Sequence, residues 1–217
     1  MTTTVREAAM ETRFVLSNVS WETYECLMRD YEDSSAPRFT YHKGVLEIVR
    51  LRPRHEEAAE NISRLVDAVA LERGVNIRSL RSTTWKRQDL EQGFEADACY
   101  YIANAGRMRG KDVLDLRVDP PPDLVVEVDN TRSSIDKLAL LAAFGVPEVW
   151  RYDGERLEMR TLEGGRHVEV AESRALRGVT AEAITKLLAE GSDEDFVDWM
   201  RRVREWAHTL AETEAGQ

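Results

Sequence analysis

The run Pro120-Pro121-Pro122-Asp123-Leu124-Val125-Val126-Glu127-Val128-Asp129 constrains this chain more than any other part of it. The prolines stop whatever precedes it, and the Val- and Leu-rich stretch that follows reads as a buried central β-strand closed by Asn130-Thr131. Strand side chains alternate faces, so Asp123, Val125, Glu127 and Asp129 share one face and Leu124, Val126 and Val128 the other. Burying an ionised carboxylate costs on the order of several kcal/mol unless it is paired, hydrogen-bonded or bound to a cation. Two readings of this face follow. It holds a metal ion, or it is partly solvated with an arginine answering Glu127.

The rest of the chain narrows the context. Its 217 residues suffice for one substantial core. The expected organisation is a flexible N-terminus over 1–18, an α/β domain over 19–190, and a C-terminal amphipathic helix and tail over 191–217. At 42% hydrophobic and 32% charged residues the composition is that of an ordinary soluble protein, with no apolar run approaching a membrane span. The polar, acid-containing stretch Met1 to Glu11 lacks the apolar core of a signal peptide, which predicts a cytoplasmic protein without membrane partners. Cys26 and Cys99 are too few for a disulfide framework, and His42, His55, His167 and His208 form no zinc-binding pair on one helix face. The net charge of −10 would repel nucleic acid as a global field, which argues against an electrostatic coat protein but not against a nuclease with local basic loops. Two such loops are present, one with Arg78, Arg81, Lys86 and Arg87, the other with Arg107, Arg109 and Lys111; solvated surface is the alternative for both.

Local patterns predict the elements. Ser20 caps an amphipathic helix carrying Trp21, Tyr24, Leu27, Met28 and Tyr31. Arg38 to Arg50 reads as a hairpin turning at Lys43-Gly44, and His55 to Arg73 as a long helix with Gly74 just past its end. Short strands are expected at Asn76 to Ser82 and Phe94 to Ile102, joined by a polar segment. A helix from Ser133 to Phe144 capped by Ser133, a strand from Glu148 to Tyr152, a hairpin around Gly164-Gly165, and helices from Thr180 to Ala189 and Asp193 to Leu210 complete the chain. The expected class is a mixed α/β fold. On the last helix Trp199, Met200, Val203, Trp206 and Leu210 form an apolar stripe, which reads as packing on the protein's own core, with a homodimer contact as the alternative.

Phe94 to Ile102 places Glu95, Asp97, Cys99 and Tyr101 on one face of a strand. If that strand neighbours the Asp123 to Asp129 strand, Asp97 and Glu127 lie side by side and can hold a hard cation such as Mg²⁺, whose water becomes a nucleophile. Lys137, near the N-terminal end of the next helix, can point back toward the acids; pairing with Asp136 or Asp129 at the surface is the alternative.

Taken in order, Asp97, the run Pro122-Asp123-Leu124-Val125-Val126-Glu127-Val128, Lys137 and the stretch Gly145-Val146-Pro147-Glu148-Val149-Trp150-Arg151-Tyr152-Asp153 resemble the Uma-two family of restriction-endonuclease-like proteins, within the PD-(D/E)xK nuclease superfamily. The resemblance runs from about Val19 to Leu188. It includes the Lys43-Gly44 hairpin and the His55-Glu56 start of the long helix. It implies a restriction-endonuclease-like mixed β-sheet flanked by helices, here with a C-terminal helical extension, and Mg²⁺- or Mn²⁺-dependent hydrolysis of DNA phosphodiester bonds. By position, Asp97 and Glu127 resemble the metal ligands, Lys137 the assisting lysine, and His55 with Glu56 the additional site residues of the long helix, with Glu57 and Glu60 close enough to take the place of Glu56. One departure stands out. The slot two residues after the strand acid, usually a lysine, holds Asp129. That departure and the acidic net charge motivate the alternative of a nuclease-fold binding or interaction module with weak or no catalysis.

Overall fold

A computed structural model describes residues 11–215 apart from 33, 35, 82, 130–132 and 193; the expected strand closure at Asn130-Thr131 and the first ten residues lie outside the described residues. The first described element is a strand, β1 (Glu11–Leu16), within the 1–18 stretch read as a flexible extension. β1 has a partner because β3 (Val45–Leu51) offers it an antiparallel edge, Glu11 opposite Leu51 through Leu16 opposite Leu46. Between them lie α1 (Trp21–Asp30), whose Ser20 cap accepts the Thr23 N–H, and β2 (Arg38–His42). The Lys43-Gly44 turn joins β2 to β3 as predicted, with positive φ of 45° and 86° matching a two-residue hairpin turn.

Helix α2 (Pro53–Glu72) follows, then β4 (Arg78–Ser79), β5 (Thr84–Arg87), β6 (Gln92–Glu95) and β7 (Ala98–Tyr101). Thr84–Arg87, expected within a polar connection, pairs with β6 as a hairpin. The order β1-β3-β2-β6-β5 makes a five-stranded, wholly antiparallel sheet, covered by α1 through Trp21, Tyr24, Phe39, Tyr41 and Leu46.

The short α3 (Ala105–Met108), β8 (Leu124–Val128), α4 (Lys137–Ala143), β9 (Glu148–Tyr152), β10 (Leu157–Glu163), β11 (Arg166–Val170), α5 (Ala181–Gly191) and α6 (Phe196–Ala215) complete the chain. The second sheet, β11-β10-β9-β8-β7-β4, is the mixed sheet that was expected, with β8 and β9 parallel and the other pairs antiparallel. β8 is buried on both faces, as its composition demands. Leu124, Val126 and Val128 meet α2, α5 and α6; Val125 meets a second core made with α4, Val149 and Trp85.

The apolar stripe of α6 joins the first of these cores. Trp199 is 2% exposed and its indole N–H donates to the Leu187 carbonyl at 2.8 Å. Gly191 makes room for the ring, since a Cβ there would lie 2.7 Å from Trp199 Nε1. Trp199→Ala should therefore lower the unfolding free energy by about 3–5 kcal/mol, read from urea denaturation. An unchanged midpoint would place α6 outside the core.

Candidate functional site

The site grows from the second half of β8. Val125 and Glu127 point away from α2, toward α4. Asp123, just before the strand, accepts the Ile102 and Asn104 N–H groups at 2.7 and 3.0 Å and the Asn104 amide at 2.8 Å, so it pins the turn after β7. Glu127 is 3% exposed, and its Oε2 accepts from Lys137 Nζ at 2.6 Å. The cation that answers Glu127 is therefore a lysine of the next helix, not an arginine.

Lys137 reaches it from a different helical position than expected. α4 is capped by Asp136, whose carboxylate accepts the Ala139 N–H at 3.0 Å, and Lys137 is its first residue. The expected cap, Ser133, donates instead to both oxygens of Glu47 at 2.8 and 3.0 Å, and Ser134 N–H bonds the same carboxylate at 3.0 Å. Those bonds engage Ser133 and Ser134 ahead of the helix, which begins at Lys137.

Asp97 also differs from expectation. It does not share a strand face with Glu95, Cys99 and Tyr101, because β6 ends at Glu95 in one sheet and β7 begins at Ala98 in the other. Asp97 sits in the break. One oxygen accepts the Val128 N–H at 2.7 Å and the other pairs with Arg38. The carboxylate is thus fixed beside the peptide that follows Glu127.

Arg38, from β2, extends the cluster to α2. Its second nitrogen donates to Glu56 at 3.2 Å. His55 is 1% exposed, donates from Nε2 to the Val128 carbonyl at 2.5 Å, and lies 3.5 Å from Asp97. Among the three neighbouring acids of α2, Glu56 alone joins this network; Glu60 pairs with Arg81 and Arg64, and Glu57 lines a separate depression with Arg54 and Tyr152. Asp97, His55 and Glu56 are therefore joined through Arg38 and the Val128 backbone, and the Glu127–Lys137 pair stands one residue before that backbone.

Three members of the network were not foreseen. Glu47 is fully buried on β3, and Arg13 of β1 pairs with it while donating to Asp129 at 3.3 Å. Arg38 is the third. Glu47 gave the same signal as Glu127, an acid in the middle of an apolar strand; Arg13 and Arg38 gave none.

Burial pushes the Glu127 carboxyl up to about 7, with Lys137 opposing the shift and the charges of Asp97 and Asp129 adding to it. Burial works against the Lys137 ammonium, but Glu127, Asp97 and Asp129 outweigh it and hold its pKa above the ordinary value. Glu95 is also raised to about 7 by burial, opposed by Arg38. Beside Glu127 and Lys137 opens a cleft of about 400 Å³, lined further by Asp129, Ser134, Val149 and Arg151. A buried acid held beside a charged lysine, with a second acid fixed next to it and open space alongside, is an arrangement that can bind a cation and a phosphate ester together.

No curated protein matches the chain. The family model of Uma2, described as "Putative restriction endonuclease", matches residues 21–189. With that span running from the first residue of α1 into the last turn of α5, the chain belongs to the Uma2 family.

Proposed function

We propose that this chain is a Mg²⁺- or Mn²⁺-dependent endonuclease that hydrolyses DNA phosphodiester bonds in the cleft beside Glu127. A charge deficit supports it. Among the described residues the acids near the cleft outnumber the cations paired with them: Glu47 and Asp129 fall on Arg13, Glu56 and Asp97 on Arg38, and Glu127 on Lys137.

The donor chemistry fits such an ion. Among the described residues no three His, Cys, Asp or Glu side chains converge as a cage, so a closed all-protein site is not available. Mg²⁺ does not need one, because it keeps several waters and takes one or two carboxylates together with substrate phosphate. Asp97 and Glu127 would hold it. When bound, the ion would supply an activated water and neutralise charge on the phosphoryl oxygens.

The chain's own residues do the rest. The Val128 N–H and Arg38 orient Asp97, and His55 fixes the carbonyl of the same residue, Val128. Lys137, kept charged by its carboxylate neighbours, offers an ammonium to charge that develops on the phosphate or to the attacking water. Arg13 balances Asp129, the acid in the usual lysine slot.

One observation favours the reading of a module that binds without cutting: both oxygens of Asp97 already have donors. Cleavage assays on single- and double-stranded DNA separate the two. Wild-type protein should cut with Mg²⁺ or Mn²⁺, and Asp97→Asn, Glu127→Gln and Lys137→Ala should each slow cutting by about 10²-fold or more. Cutting that survives replacement of both acids by Ala would sink the assignment, and metal binding without turnover would establish the second reading.

The raised Glu127 pKa gives a separate check. In the metal-free protein the folded state keeps a proton that an ordinary unfolded carboxyl, at 4.5, has released, so between 4.5 and about 7 this group's contribution to stability falls as pH rises. A cation needs the ionised form and competes with that proton. The rise in melting temperature on adding Mg²⁺ should therefore be larger at pH 8 than at pH 5.5. An equal rise at both values would mean that Glu127 does not hold the ion.

A further inference from the structure

Arg151 is a half-buried cation in the wall of the cleft, and its side chain makes no hydrogen bond or ion pair to any described residue. Its neighbours explain why. On one side it stands in parallel register with Glu127 of β8, which is taken by Lys137 at 2.6 Å. On the other it stands opposite Glu158 of β10, which is taken by Arg160 at 2.9 and 3.1 Å. Asp129, at the end of β8, is held by Arg13 at 3.3 Å. Asp153, two residues along the chain, turns one carboxylate oxygen to the Glu155 and Arg156 N–H groups at 2.9 and 2.7 Å.

None of these acids pairs directly with the Arg151 guanidinium, although Asp153 feels its charge through space. A partly desolvated guanidinium without a counterion is costly, and its planar fork of donors matches phosphate oxygens in a bidentate way. The same wall presents Lys137, so two cations flank the open space. We propose that Arg151 binds a backbone phosphate of the nucleic acid entering this cleft, gripping its non-bridging oxygens while the bond beside Glu127 and Lys137 is attacked. This rests on the nuclease reading for the identity of the anion, but its test does not require cutting.

Anisotropy of a labelled DNA duplex, titrated with protein at several salt concentrations in Ca²⁺, compares wild type with Arg151→Gln and Arg151→Lys. Arg201→Ala serves as a control, since Arg201 is exposed on α6, on the opposite side of the sheet. Arg151→Gln should weaken binding about tenfold and reduce the slope of log affinity against log salt by about one. Arg151→Lys keeps the slope and loses part of the affinity, which also guards against a Gln variant that folds poorly. The control should match wild type. Wild-type affinity and slope in Arg151→Gln would overturn the proposal, as would wild-type protein that binds no DNA. Binding that depends on Arg151 in a protein that never cuts in Mg²⁺ would sink the nuclease reading alone; cutting with binding indifferent to Arg151 would sink this proposal alone.

Discussion

Carboxylates carried into the interior by one strand determine where the rest of the chain must go. Around β8 each buried acid is answered from a different part of the molecule: Asp123 by the backbone after β7, Glu127 by the first residue of α4, and Asp129 by Arg13 of β1. Asp97 arrives from the neighbouring strand break and takes Arg38 of β2. Removing one partner from a buried pair costs about 3–5 kcal/mol, because it leaves a charge without compensation. The polar bonds that shape the cleft are therefore also the bonds that fasten the two sheets together.

The sheet junction depends on a single interruption. The β7–β8 ladder stops at Ala98 opposite Val126, and past that point the Val128 N–H faces no residue of β7. A buried N–H without an acceptor is disfavoured, and the Asp97 carboxylate supplies one. The same side chain therefore completes the edge of one sheet while its other oxygen holds an arginine of the other. His55 performs the reciprocal service for the Val128 carbonyl. The two peptide groups flanking Val128 are thus tied down next to Glu127, which limits how far that carboxylate can move.

Much of this could be read from the sequence where the signals are local. The alternation of β8, the Lys43-Gly44 turn and the face of α2 follow from periodicity and turn chemistry within a few residues. Asp97 was found for its acid among apolar neighbours, but its setting was not, because Glu95-Ala96-Asp97-Ala98-Cys99 contains no glycine or proline to mark the break. The Ser133 cap fails because its oxygen accepts the Ile135 N–H, ahead of the helix, while its hydroxyl donates to a carboxylate 86 positions away. Ion pairs spanning 34, 59 and 116 positions, Arg13 with Glu47, Arg38 with Asp97 and Arg13 with Asp129, leave no trace in a window of any useful length. Each arginine alone reads as a surface residue. Only the fold brings it to its acid.

Asp129 shows how the network absorbs a departure from the pattern that the chain otherwise resembles. A lysine in that slot would add one positive charge beside Glu127; aspartate adds a negative one, so the exchange shifts the local charge by two. Arg13 returns one unit by pairing with Asp129, and Lys137 returns the other from the start of α4. Arg13 lies on β1, outside the span matched by the family model, and Lys137 lies within it. The strand that looked dispensable is therefore part of the electrostatic balance of the cleft. Losing it would take from Glu47 and Asp129 the arginine that both share.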